Sequence, residues 1–181
     1  AAYLASYQKD QYSAPLLTVD AVIFTYHDGQ LKVLLVERQN HPFMGWWCLP
    51  GGFIDEQHDQ DLEASVRRKL IEKTAVEPPY VEQLCTVGGA ARDPRGWSVT
   101  VCFTALMSWQ DCCVQIDAVR DARWVPYDEA IAMSLAFDHR ELLIQARQRL
   151  VQKALYSLVP GFTLPALFTL PELQHVHEVL L

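Results

Sequence analysis

The sequence predicts an α/β (α+β) sandwich, in which a mixed β-sheet is packed between helices. Runs of aliphatic and β-branched residues alternate with segments whose apolar residues recur at helical spacing. These segments follow the order strand, strand, helix, three strands, helix, which favours helices on the faces of one sheet. With 181 residues, half of them apolar, the chain is long enough for one well-filled core.

The first half of the chain contains a predicted hairpin followed by a helix. The hairpin has strands near 17–27 and 31–38, because the aliphatic runs there flank the turn signal Asp28-Gly29. A loop rich in Trp, Pro and Gly follows, and a helix is expected over 59–74. Its apolar face is formed by Leu62, Val66 and Leu70, and either Asp59 or Asp61 can be its N-cap.

The second half is predicted to contain three further strands and two helices. Two β-like runs, 81–90 and 98–109, flank a polar loop, and 122–127 is a short strand. A helix is expected over 138–155, opened by a capping box of Asp138 and Glu141. A second capping box, formed by Thr169 and Glu172, opens an amphipathic C-terminal helix. The apolar stripe of this helix consists of Leu173, Val176 and Leu180.

The domain organisation follows from changes of composition along the chain. Residues 1–14 are expected to be an N-terminal arm, and 15–156 a globular domain. Residues 157–181 are expected to be a linker and the first helix of a further, truncated domain, since that helix has no C-terminal stop signal. The alternative is a C-terminal helix docked on the main core.

Composition and charge exclude several classes of protein. The net charge of -7 argues against nucleic-acid binding by these residues, because phosphate neutralisation needs clustered cations. Five cysteines without a CxxC spacing indicate reduced thiols in a cytoplasmic protein. No apolar run approaches the roughly 20 residues that span a bilayer, so no membrane association is expected.

The segment from Gly51-Gly52-Phe53 to Val76 resembles the Nudix box, and the resemblance extends over about residues 15–155. The resemblance implies a Nudix fold. The Nudix box is the loop-helix-loop signature of enzymes that hydrolyse a nucleoside diphosphate linked to another group. Arg68 and Glu72 match the box, but lysines 69 and 73 replace two of its glutamates and Gln60 replaces an upstream glutamate.

These substitutions alter the chemistry of the box. Positions 69, 72 and 73 share one helix face, where carboxylates would converge on Mg²⁺. Two lysines on that face repel Mg²⁺, so we expect no metal site, no catalytic residue and no enzyme activity, although residual hydrolysis stays open. In the alternatives, Arg68 and Glu72 are a plain surface ion pair, or an oxygen-rich loop holds a metal through Asp55, Glu56, His58, Asp59 and Asp61.

A second informative segment is the loop Arg92-Asp93-Pro94-Arg95-Gly96-Trp97. Its two arginines can bind a diphosphate with bidentate geometry, and the loop resembles that of Nudix members that handle ADP-ribose. The alternative is a β-turn with solvated arginines.

Other residues are candidates for the same site. Trp46 or Trp47 is either a stacking partner or part of the core, and His139 either contacts the ligand or lies on the surface. The ligand-binding set is Arg38, Trp47, Gly52, Phe53, Arg92, Asp93, Arg95, Trp97, Phe137 and His139.

The altered box, the Asp-Pro-Arg-Gly loop and the segment 136–139 together resemble the Nudix-related transcriptional regulators of NAD metabolism. The resemblance implies a cytoplasmic, homodimeric repressor of NAD biosynthesis or salvage genes. Its non-hydrolysing Nudix domain binds ADP-ribose as effector, without a cofactor, and a winged-helix domain beyond Leu181 binds operator DNA. The rival hypotheses are a metal-dependent ADP-ribose or nucleoside diphosphate-sugar pyrophosphatase and a protein-interaction module.

Overall fold

The structure is a computed structural model that describes residues 7, 11, 13–114, 116, 118–165 and 167–181. The predicted N-terminal arm lies mostly outside the described residues. The strands are β1 (Leu16–His27), β2 (Gln30–Arg38), β3 (Trp47–Cys48), β4 (Gly51–Phe53), β5 (Glu82–Gly89), β6 (Ser98–Met107) and β7 (Val119–Pro126). The helices are α1 (Leu62–Thr74), α2 (Tyr127–Ala132), α3 (His139–Ala154) and α4 (Leu170–Leu180), with a 3-10 turn at Val159–Thr163.

The strands form one mixed sheet, as predicted. Its central path runs β3-β2-β1-β6-β5, with β4 added to β1 and β7 added to β2. β1 and β6 are parallel, while the other pairs are antiparallel. The predicted hairpin is confirmed, and its turn has positive φ at both Asp28 (54°) and Gly29 (75°), which matches the twist of the flanking strands.

Helices cover both faces of this sheet. On one face Val22 and Phe24 of β1 pack in a core with Leu143 and Ala146 of α3. On the other face Ala21 of β1 lies in a second core, which includes the α1 residues Val66 and Leu70. Because successive side chains of a strand point to opposite faces, β1 supplies both cores, and the sandwich prediction is confirmed.

The two predicted helix starts have different outcomes. Asp61 caps α1, since its Oδ1 accepts a hydrogen bond from the Ala64 amide at 2.7 Å. The capping box predicted at Asp138 is wrong: this residue precedes α3, but its carboxylate makes no capping bond and binds Arg92 instead. A guanidinium offers two charged donors, and the carboxylate takes these in preference to backbone amides.

The C-terminal segment folds back on the main core. The capping box of Thr169 and Glu172 at the start of α4 is confirmed. Val176 and Leu180 are buried in the same core as α3, which is the docked arrangement considered as an alternative. The identity of α4 as the first helix of another domain stays a prediction. In the described part of the chain, no helix has the length and apolarity to cross a bilayer.

Candidate ligand-binding site

A cavity of about 370 Å³ opens where β1, β4, α1 and the start of α3 meet, a size within the usual range of small-molecule sites. Eight of the ten predicted ligand-binding residues line it: Arg38, Gly52, Phe53, Arg92, Asp93, Arg95, Phe137 and His139. The lining also includes Lys73 of the altered box and residues outside the predicted ligand-binding set: Thr18, Asp20, Asn40, His41, Cys48, Leu49, Gly51 and Ala118.

The floor of the cavity is built by the close approach of β4 to β1. Gly51 is the antiparallel partner of Asp20, and a Cβ at this glycine would overlap the Asp20 carboxylate and the Val19 carbonyl oxygen. The glycine therefore lets the Gly51–Gly52 backbone lie directly on the central strand. Its neighbour Gly52 has φ of 150°, a conformation that L side chains rarely adopt.

Asp20 is the polar centre of this floor. It is 5% exposed, and its Oδ2 accepts a hydrogen bond from the Thr100 hydroxyl at 2.7 Å. Arg92 Nη2 lies 3.8 Å from the same oxygen, and His139 Nε2 lies 3.6 Å from Oδ1. The signal that could have revealed it is an ionisable residue within the apolar run 16–24, where a buried carboxylate needs partners.

His139 joins the floor to the loop before β4. Its Nδ1 accepts a hydrogen bond from the Leu49 amide at 3.0 Å, and the side chain is buried. Burial lowers the pKa of this imidazole, the nearby Asp20 carboxylate opposing the shift. The histidine is therefore held neutral, and the surface alternative considered for it is wrong.

Two of the four cations that line the cavity are already paired with carboxylates. Arg92 binds Asp138 through two hydrogen bonds of 2.9 and 2.8 Å, and Arg95 binds Asp93 through two of 3.0 and 2.7 Å. The hydrogen bond from Arg95 lowers the pKa of the Asp93 carboxyl. The solvated-turn alternative is therefore wrong for Arg92, whose side chain is 9% exposed, while diphosphate binding by the two arginines stays a prediction.

The other two cations, Arg38 and Lys73, have backbone carbonyl oxygens as acceptors. Arg38 Nε donates to the Pro42 oxygen at 2.7 Å, and Lys73 Nζ donates to the Gly51 oxygen. Among the described residues, neither side chain has a carboxylate within 4 Å. Burial lowers the pKa of Lys73. Of the described cations that line the cavity, Arg38 and Lys73 are therefore the two whose positive charge no carboxylate compensates within 4 Å.

The α1 face of the altered box, where no metal site is expected, is a network of ion pairs. Arg68 binds Asp59 through two bonds of 2.6 Å and Glu72 at 3.0 Å, and Lys69 Nζ lies 3.4 Å from Glu72. Glu72, the carboxylate that matches the box, is thus already bound to two cations, and Lys73 donates a hydrogen bond to the Gly51 carbonyl oxygen. Such a donor set does not fit a divalent cation, which needs several free oxygen ligands.

The loop before α1 does not supply these ligands either. Its carboxylates fold the loop: Asp55 accepts from the Gln57 amide at 3.0 Å, and Asp59 accepts from the Ser65 hydroxyl at 2.6 Å. The hydrogen bond from Arg68 holds the pKa of Asp59 well below its usual range. No group of three or more His, Cys, Asp or Glu side chains in the described ranges could hold a metal ion, so the structure gives no support to the loop-metal alternative.

The aromatic residues at the mouth divide into two groups. Phe53 and Phe137 line the cavity, with the Arg95 guanidinium 4.9 Å from the Phe53 ring centre and that of Arg38 5.0 Å from Phe137. The two predicted tryptophans lie outside its lining. Trp47 faces Arg123 at 4.4 Å, and Trp97 lines a neighbouring depression beside Arg95.

A cavity lined by β4 and by Lys73 of α1 indicates a Nudix-type domain, and comparisons with known proteins agree. The family model described as NUDIX domain matches residues 15–146. The chain belongs to the Nudix family.

Within that family the chain is similar to regulators and, more distantly, to an enzyme. It is 48% identical over 180 residues to the ADPR responsive transcriptional repressor NtrR of Acinetobacter baylyi, covering 99% of this chain and 72% of the relative. It is 30% identical over 132 residues to the ADP-ribose pyrophosphatase of Methanocaldococcus jannaschii, covering 73% of each chain.

Two solved structures of Shewanella oneidensis NrtR are similar to this one. The NUDIX domain complexed with ADP ribose has 64% identity and a TM-score of 0.81, and the match covers 82% of this chain and 97% of that one. The protein complexed with a 27mer DNA has 70% identity and a TM-score of 0.84, covering 92% of this chain and 76% of that one.

Proposed function

We propose that this protein is a transcriptional repressor whose Nudix domain binds ADP-ribose as an effector and does not hydrolyse it. The observation that carries the proposal is the position of Lys73, whose ammonium donates a hydrogen bond to the Gly51 carbonyl oxygen at the cavity wall. At this position of the box a carboxylate would bind a metal ion. Here the side chain brings its own positive charge to the diphosphate and leaves water without a metal to activate it.

The charges of the cavity support a diphosphate as the ligand. Lys73 and Arg38 can attract the phosphates, because no carboxylate of the described residues lies within 4 Å of either cation to neutralise its charge. Arg95 has a side chain that is 39% exposed, so it can reach a phosphate from its position beside the buried Asp93 carboxylate. Arg92, locked between Asp138 and Asp20, holds the cavity wall.

The aromatic rings support binding of the nucleoside end. Phe53 is 42% exposed at the mouth and offers a face on which adenine can stack. Phe137, whose ring centre lies 5.0 Å from the Arg38 guanidinium, lines the same cavity. The complex of the similar NrtR domain with ADP ribose supports the choice of this nucleotide over other diphosphates.

The regulatory part of the proposal concerns DNA and dimerisation. The similar NrtR has been solved with DNA, and this chain covers 76% of it. We propose that a winged-helix domain after α4 binds operator DNA of NAD biosynthesis or salvage genes, and that the protein is a homodimer. ADP-ribose then acts as a switch if it favours the dimer arrangement that releases DNA, because equal affinity for both arrangements shifts nothing.

The test separates the sensor from the rival pyrophosphatase. The protein is titrated with ADP-ribose in a calorimeter and, in parallel, incubated with ADP-ribose and Mg²⁺ or Mn²⁺ before chromatography for AMP. The proposal predicts saturable binding and no AMP. Lack of binding at hundreds of micromolar ADP-ribose contradicts the sensor, and AMP production that Glu72→Gln abolishes establishes the enzyme.

A further inference from the structure

Two cysteines face each other across neighbouring strands of the sheet. Cys85 of β5 is the antiparallel partner of Cys102 of β6, and both belong to the same side of the core. Residues directly opposite in an antiparallel pair have Cα atoms about 4.5 to 5.5 Å apart. This spacing lies within the range of about 4.4 to 6.8 Å that a disulfide spans.

The strand is also irregular at this point. The register of β5 against β6 shifts between Gln83 and Cys85. Such an irregularity interrupts the ladder of hydrogen bonds and lets a strand bend locally. The backbone on the Gln83 side of Cys85 can therefore adjust when the two sulfur atoms are joined.

The two thiols differ in their surroundings. Cys85 is half-buried, while Cys102 is 0% exposed. The hydrogen bond from Cys102 lowers the pKa of Cys85 below that of an ordinary thiol, and the same bond together with burial raises the pKa of Cys102. Because Cys85 is the thiol of the pair that solvent reaches, while Cys102 is fully buried, Cys85 is the attacking group and Cys102 the resolving group.

We propose that Cys85 and Cys102 form a peroxide-sensitive dithiol that is converted to an intramolecular cross-strand disulfide. The Cys85 thiolate attacks one oxygen of hydrogen peroxide; an S–O bond forms, the O–O bond breaks and hydroxide leaves. Cys85 is thereby oxidised to a sulfenic acid while the peroxide is reduced.

In the second step Cys102 gives up its proton and its sulfur attacks the Cys85 sulfur. The S–S bond forms, the S–O bond breaks, and water leaves. The sum is one dithiol and one hydrogen peroxide giving one disulfide and two waters. The pair lies beside the ligand cavity, because Cys102 is also the parallel partner of Asp20.

Other cysteines of the chain provide internal comparisons. Burial raises the pKa of the Cys48 thiol to about 11, so that it carries little thiolate at neutral pH. Burial also raises the pKa of Cys112. Cys113 is exposed and competes for the oxidant.

Peptide mapping tests the proposal on the native protein. The protein is treated with one equivalent of hydrogen peroxide, blocked with N-ethylmaleimide, and digested with trypsin and then chymotrypsin. Chymotrypsin cuts between Cys102 and Cys112, because Phe103, Leu106 and Trp109 lie between them. We expect a linked peptide of Cys85 and Cys102, about 2 Da lighter than the two thiol peptides together.

Two controls separate a folded site from general oxidation. The urea-unfolded chain, given the same peroxide, should yield this link about tenfold less, since its thiol pKa values and spacing are ordinary. In Cys102→Ser the sulfenic acid of Cys85 should persist and react with dimedone, whereas Cys113→Ser, which removes a competing thiol, should give at least as much of the link. Recovery of Cys85 and Cys102 as blocked thiols while Cys113 is oxidised, or equal yield in the unfolded chain, overturns the proposal.

Discussion

Replacement of Lys73 by methionine separates ligand binding from folding. The substitution keeps the length of the side chain and removes the ammonium, which lies at the Gly51 carbonyl oxygen in the cavity wall. Methionine therefore has no charged donor to offer a phosphate. A hydrogen bond to a charged group contributes about 1.5 to 3 kcal/mol, so the dissociation constant for ADP-ribose should rise roughly 10- to 150-fold.

The substitution Lys73→Met should also raise the free energy of unfolding of the protein without ligand. Burial lowers the pKa of Lys73, so the folded state disfavours the charged form. Between the folded and the unfolded pKa the unfolded chain binds the proton more strongly, and stability therefore increases with pH in that window. The free energy of unfolding at neutral pH should rise in Lys73→Met, and this contribution to the pH dependence should disappear.

Lys69→Met is the matched control. Lys69 belongs to the same helix, but its ammonium lies 3.4 Å from Glu72 and it is outside the cavity lining. Titration calorimetry should find the affinity of Lys69→Met for ADP-ribose within about threefold of that of the unchanged protein, since the Lys69 ammonium is already paired with Glu72 and does not line the cavity. Equal losses of affinity in the two variants, or full affinity in Lys73→Met, would refute the assignment of the phosphate charge to Lys73.

Three further predictions concern the walls of the cavity. Gly51→Ala should lower the free energy of unfolding by at least about 2 kcal/mol in urea titrations, because the added Cβ meets the backbone of β1, whereas Gly89→Ala has open space. Burial lowers the pKa of His139, so stability should fall below about pH 6.5, by at most about 1.4 kcal/mol per pH unit. The variant His139→Asn, which keeps an acceptor, should lose that slope in urea titrations at pH 5.5 and 6.5. Asp138→Asn should destabilise the fold by about 1 to 2 kcal/mol and tighten ADP-ribose binding, because Arg92 loses a charged partner and the cavity a negative charge.

Each of these predictions has an outcome that contradicts it. Equal stability of the two glycine variants would mean that β4 does not lie against β1 as described. A pH slope that persists in His139→Asn would assign it to other groups. Weaker ADP-ribose binding in Asp138→Asn would mean that this carboxylate itself contacts the ligand.

Periodic patterns predicted the fold well because each reflects burial on one face. The hairpin, α1, α3 and α4 lie within three residues of their expected bounds at each end. The short strands β3 and β4 were not predicted, because two- and three-residue strands carry no period. Nor was α2 predicted, because a six-residue helix that begins after Pro126 carries little period of its own.

The sequence predicted much of the cavity lining but not its charge pairing, and the role of these residues in binding stays a prediction. Motifs brought Arg92, Arg95 and Phe53 to one cavity, but a motif does not say which cation already has a carboxylate partner. That Asp138 neutralises Arg92 depends on an ion pair across 46 positions of sequence. Asp20 was missed because its partners come from three separate segments of the chain.

The central claim is that the cavity binds ADP-ribose with the protein's own cations and without a metal. Titration calorimetry with ADP-ribose in excess EDTA, repeated with millimolar Mg²⁺, tests it most directly. We predict the same dissociation constant, within about twofold, in both buffers, because Lys73 and the ion pairs of Glu72 leave no ligand set for the ion. Binding that requires Mg²⁺, or that tightens more than tenfold with it, would contradict the claim.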